Sequence, residues 1–150
     1  MTDDATRITN LVYRYAELID LGDFAGVGRL LGDAGIGVGD RPGTMTGADA
    51  FEAMFAATTR RYDDGTPRTK HVTTNCIVEV DDGAGTGTCR SYYTVFQATG
   101  GLALQPIVTG RYHDRFVRED GTWRFDERRF FIDLVGDVSH HQLVDLPPTH

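Results

Sequence analysis

From residue 69 onward the chain turns almost entirely to strand. Four long strand-forming runs, at about 69–80, 86–98, 107–117 and 122–134, are punctuated by Asp82-Gly83 and Asp120-Gly121. Asp-Gly between alternating apolar residues is a strong short-range hairpin signal, because a two-residue turn needs residues that tolerate positive φ. Two long hairpins in succession must bury one face. The segment before them supplies the cover, because it reads as helix. Helices first and an antiparallel meander afterwards is an α+β layout, a curved sheet with helices on one face.

Across 4–21, Ile8, Leu11, Val12, Tyr15, Leu18 and Ile19 recur at helical spacing and form one apolar stripe. Thr2, Asp3 and Asp4 offer N-cap and dipole chemistry, and Gly22 is the stop. At about 100° per residue, Asp20 falls on the flank of the stripe, where it can face the rim of a cavity. Asp23 caps a short second helix bearing Phe24, Val27, Leu30 and Leu31, and a short strand follows at Ile36 and Val38. Thr46-Gly47-Ala48-Asp49 reads as a capping box opening a third helix with Phe51, Met54 and Phe55 inward.

The 150 residues fit one domain over 1–138 with a loose tail at 139–150, in which His140 and His141 are expected to carry no metal. A net charge of −7 argues against nucleic acid or an anionic membrane as partner. No apolar run reaches the ~18 residues of a membrane span. The acidic N-terminus lacks the layout of a secretion signal, so a cytoplasmic protein is expected. Cys76 and Cys89 are too few for a disulfide framework and wrongly spaced for zinc.

Hairpins turning tightly on each Asp-Gly would place Cys76 opposite Cys89, Thr73 opposite Tyr92 and Asn75 opposite Arg90. His71, Thr73, Asn75, Arg90 and Tyr92 would then share one face. In the second hairpin Tyr112 would face Arg129, Asp114 would face Glu127 and Phe116 would face Phe125. Tyr112, Phe116, Trp123, Phe125 and Arg129 would form an inward, half-apolar wall suited to a small molecule, with Arg128 on the opposite, charged face.

Asp20 and His71 are the leading candidates for chemistry. A carboxylate that orients an imidazole fixes its tautomer and stabilises the imidazolium that forms when the ring takes a proton. Tyr13-Arg14-Tyr15, Asp20-Leu21-Gly22-Asp23-Phe24, Arg68-Thr69-Lys70-His71 with Asn75, and Asp120-Gly121-Thr122-Trp123-Arg124-Phe125 follow in order along the chain. In this the chain resembles the SnoaL-like proteins of the nuclear-transport-factor-two-like superfamily, over about residues 6–133. The resemblance implies a cone-shaped α+β barrel: a curved mixed or antiparallel sheet whose pocket is closed by three N-terminal helices. Within the superfamily the pattern is similar to scytalone dehydratase, hexachlorocyclohexane dehydrochlorinase and bile-acid dehydratase. There an aspartate ending the first helix pairs with a histidine on the strand after the third, the places held here by Asp20 and His71. Tyr15 matches a pocket tyrosine of bile-acid dehydratase. Other pocket residues of scytalone dehydratase do not carry over, since Val95 and Gly39 hold their places.

The expectation is therefore a cofactor-independent lyase or isomerase, dehydratase-like or cyclase-like, acting on a small apolar oxygenated ring compound. Asp20, His71 and Tyr15 would be catalytic, with Asn75, Tyr92, Tyr112 and Arg129 binding substrate. The resemblance also implies a homo-oligomer, a trimer before a dimer. The alternative is a non-catalytic ligand-binding or assembly subunit of the same fold, such as a ring-hydroxylating dioxygenase β-subunit.

Overall fold

The computed structural model describes residues 2–149. Helix α1 runs Asp4–Asp20 and is capped by Asp3, whose carboxylate accepts from the Thr6 amide at 2.7 Å. It buries Ile8, Val12, Ala16 and Ile19. Each large aliphatic side chain of that stripe contributes about 1.5–3 kcal/mol by leaving water. Helix α2 spans Phe24–Leu31 under an Asp23 cap, and α3 spans Ala48–Thr58. The capping box expected at Thr46 does not form: Gly47 is the N-cap residue, and no side chain caps it.

Five strands, β1 (Gly35–Val38), β2 (Thr69–Asp81), β3 (Thr86–Thr99), β4 (Leu102–Glu119) and β5 (Thr122–Val135), make one curved, unclosed sheet in the order β1-β5-β4-β3-β2. β1 is parallel to β5 and every other pair is antiparallel. The helices pack on the concave face. Among the described residues no helix is long and apolar enough to cross a membrane.

The two hairpins depart from the expected pairing for different reasons. The first turn takes four residues, because Asp81 pairs with Thr86 and the positive φ falls on Gly85. That turn sets Val78 opposite Cys89, and a bulge at Asn75–Cys76 then shifts the register again, so Thr74 faces Tyr92 and Thr73 faces Tyr93. Cys76 and Cys89 are both free thiols. In the second hairpin Asp120 and Gly121 both have positive φ (50° and 77°), as a two-residue type I′ turn demands. Phe116 faces Phe125 as expected, but a bulge at Asp126 follows. Beyond it Asp114 faces Arg128 and Tyr112 faces Phe130. A bulge adds one residue to one strand and exchanges the faces of all that come after it.

Two apolar clusters result. One joins α1 and α2 to Phe116, Trp123 and Phe125; the other gathers Tyr93, Val95, Ile107, Val108, Tyr112 and Ile132. Tyr15 and Phe130 touch both. The segment from 139 to 149 is not loose. Arg60 N donates to His141 O at 2.8 Å, Leu143 N to Thr58 O at 2.8 Å and Thr149 N to Ile132 O at 2.8 Å. Gln97 Nε2 and the Tyr62 hydroxyl both donate to His140 O.

Candidate active site

Asp20 is the last residue of α1, where a carboxylate opposes the helix dipole. Three hydrogen bonds from the start of β2 compensate it. Thr69 Oγ1 donates to Oδ1 at 2.8 Å, the His71 amide to Oδ2 at 2.8 Å, and His71 Nδ1 lies 2.6 Å from Oδ1. Thr69 and His71 are two residues apart on one strand, so both side chains point to the same face. The chain can turn away right after Asp20 because Gly22 adopts φ +73°; a Cβ there would come within 2.1 Å of Gly65 O. Both dyad side chains are only 10% exposed. With Asp20 accepting from Nδ1–H, His71 is held as the tautomer whose Nε2 carries a lone pair, the form a general base needs.

His71 lines a cavity of about 210 Å³ between the helices and the concave sheet face. Its wall is largely apolar, with Ile19, Phe51, Phe55, Val95 and Ile132 among the lining side chains. Tyr15 and Tyr112 stand in it as expected. Their rings meet edge to face at 5.9 Å, and Tyr93 stacks on Tyr112 at 4.5 Å while donating to Phe131 O at 2.9 Å. Burial pushes the phenols of Tyr15 and Tyr112 above their ordinary range, so both remain protonated donors.

The basic residue of the cavity is Arg128, not Arg129. Arg128 is 1% exposed and grips Asp114 through Nε–Oδ1 and Nη2–Oδ2, each at 2.8 Å. Its guanidinium lies 3.8 Å from the Tyr112 ring centre and 4.3 Å from that of Tyr15. Nη1 is buried with no hydrogen-bond partner. Burial alone would favour the neutral form of either group. The bidentate contact with Asp114 overrides burial for Arg128 and keeps it charged, whereas for Asp114 burial outweighs the arginine and leaves its carboxyl above the ordinary range. Arg129 projects from the other face, where Nη1 donates to the carbonyls of Gly39 and Arg41, both at 2.9 Å.

Two further expected ligands are also misplaced. Tyr92 is 52% exposed on the outer face of the sheet. Asn75 sits exposed in the β2 bulge with φ +56°. Both were put inside by a register without the bulge. A signal for Arg128 was present nonetheless: the expected register set Asp114 against Glu127, a like-charge pair that a one-residue slip relieves. His141, assigned to a loose tail, instead lines the cavity and is 5% exposed. Among the described residues, no group of three or more His, Cys, Asp or Glu side chains is placed to hold a metal ion.

Residues 1–129 match the model of the SnoaL-like domain. The chain belongs to the SnoaL-like family. Among solved structures, Rv3472 from Mycobacterium tuberculosis, of unknown function, is 27% identical, with a TM-score of 0.67 over 86% of this chain and 71% of that one. A candidate scytalone dehydratase from Novosphingobium aromaticivorans is 18% identical, with a TM-score of 0.68 over 95% and 89%. ActVI-ORFA from Streptomyces coelicolor is 17% identical, with a TM-score of 0.65 over 85% and 95%. The last two likenesses are of fold. No curated protein matches the sequence significantly. The SnoaL-like fold includes cofactor-free isomerases, cyclases and dehydratases.

Proposed function

We propose that this SnoaL-like protein is a cofactor-independent lyase or isomerase for a small, apolar, oxygenated ring compound, with His71 as general base and Asp20 as its orienting partner. The single observation that carries the reading is the Nδ1–carboxylate contact of 2.6 Å inside a mostly apolar cavity. His71 Nε2 takes a proton from a carbon acidified by a neighbouring carbonyl. The resulting pair shifts into a new C=C bond, and the proton returns either to another carbon or to a leaving hydroxyl. Such base placement contributes on the order of 10²–10⁴ in rate.

Arg128 takes the part first given to Arg129, its unpartnered Nη1 serving an oxygen on the substrate. Tyr15 and Asp20 are five residues apart on α1, about 7.5 Å along the axis. Arg128 stands by Tyr15 and His71 by Asp20, so a ring with oxygens at opposite ends suits the cavity. A second copy of this chain is the partner we assign to the outer sheet face, where Val72, Ile77, Tyr92 and Leu134 are at least 42% exposed; a trimer is preferred to a dimer.

Exchange of the α-protons of 2-tetralone in D2O, followed by proton NMR, reads proton abstraction without the natural substrate. The wild type is expected to accelerate exchange, and H71A and D20A to lose that acceleration while still folded. Exchange at the buffer rate would favour the non-catalytic subunit, and acceleration untouched by H71A would overturn His71 as the base.

A further inference from the structure

His141 lines the cavity and is not explained by the dyad. It is 95% buried, its Nδ1 has no hydrogen-bond partner, and a buried polar group in that state costs roughly 1–3 kcal/mol. Such a cost persists where a ligand completes the bond. The backbone around it is firmly held. Its amide donates to Val138 O at 3.0 Å and its carbonyl accepts from Arg60 N at 2.8 Å. Next to it, the His140 carbonyl accepts from Gln97 and Tyr62, and His140 Nδ1 lies 3.1 Å from Thr99 Oγ1. Nothing in this framework engages the unpaired Nδ1, and the ring faces the same hollow as His71.

We propose that the ring N–H of His141 donates to the carbonyl oxygen of the substrate, beside the carbon from which His71 takes its proton. The substrate class is thereby narrowed to ketones or aldehydes with an abstractable α-hydrogen. This rests on the reading of His71 as base. As the C–H bond breaks, its proton passes to His71 Nε2 and its electron pair forms the C=C of an enolate. Charge grows on the oxygen, and the His141 hydrogen bond strengthens as it does so. Burial, with His71 beside it, pushes the His141 ring down to about 4, while Asp20 pulls weakly the other way. The ring is thus neutral at pH 7. A neutral imidazole polarises a carbonyl without surrendering a proton and without opposing the imidazolium that forms on His71.

The test uses 2-naphthol, whose phenolic oxygen mimics the enolate, and naphthalene, which lacks it. Wild-type protein is expected to bind 2-naphthol the more tightly. H141F is expected to weaken 2-naphthol by about 10–100-fold with naphthalene unchanged, and H141Q, which keeps an N–H donor, to recover part of the loss. No preference for 2-naphthol in the wild type, or an equal loss of both probes in H141F, would overturn the proposal. Should H141F fail to fold, the ¹⁵N resonances of histidine-labelled wild type decide. With His141 assigned through H141Q, its ring signals must move when 2-naphthol is added, and if they stay still the proposal falls. The base reading fails separately: H71A would then leave deuterium exchange untouched while H141F still removed the naphthol preference.

Discussion

The two sides of the cavity were built by different kinds of information. At the α1–β2 corner a helix end meets a strand start, and each is fixed by local chemistry: an apolar stripe, a glycine stop and the alternation that puts Thr69 and His71 on one face. The β4–β5 wall has equally clear strands and a correct turn, yet its polar residue is the neighbour of the one expected. A single extra residue at Asp126 separates Phe125, which is where alternation puts it, from Arg128, which is not. Strand side chains therefore carry reliable positions only as far as the first bulge.

The sharpest test of the corner is His71→Ala, expected to lower deuterium exchange into 2-tetralone by about 10²–10⁴-fold with the melting curve preserved. On the wall, Arg128→Met strands a buried carboxylate and should cost about 3–5 kcal/mol in chemical denaturation. Adding Asp114→Leu should return most of it, because the pair is removed together. Acid sharpens the comparison from a third side. The His141 ring sits at about 4 in the folded protein against an ordinary 6.5, so as pH falls the unfolded chain takes up the proton first. Its contribution to stability is full above about pH 6.5 and is lost as pH drops toward 4, by about 3 kcal/mol. Urea unfolding of H141F over that range should lack this part of the acid sensitivity. Arg129→Met should cost about 1–2 kcal/mol, since a half-buried guanidinium gives up two bonds to main-chain carbonyls. Smallest of all, Asn75→Gly should leave naphthol binding unchanged and alter stability by about 0.5 kcal/mol, because glycine accepts the left-handed backbone there.

Much of the architecture was legible. The helices, all five strands, the α+β class and the meeting of Asp20 with His71 follow from periodicity, turn residues and the resemblance. The capping box at Thr46 was a false signal, since a motif of four residues says nothing about which one the chain leaves helical space on. Tyr15 and Tyr112 were legible because each lies in a run of regular alternation or helical spacing free of interruption. Asn75 and Tyr92 were not, because the β2 bulge at Asn75–Cys76 leaves no periodic mark in the sequence, and Arg129 was not, because the separate bulge at Asp126 is signalled only by the like-charge pair that its absence would create. His141 was hidden for another reason. Its place is set by Arg60, which bonds its carbonyl, and by Gln97 and Tyr62, which hold the neighbouring His140, contacts far along the chain that leave no periodic trace nearby.

The pinned C-terminal segment bears on how the protein should be handled at the bench. Clones cut where the family match stops, at residue 129, or just after the last strand would remove His141, Val144 and Leu146 from the hollow they help enclose. An affinity handle belongs at the N-terminus, because Thr149 is stitched to Ile132 and a peptide fused behind it starts beside β5 of the sheet.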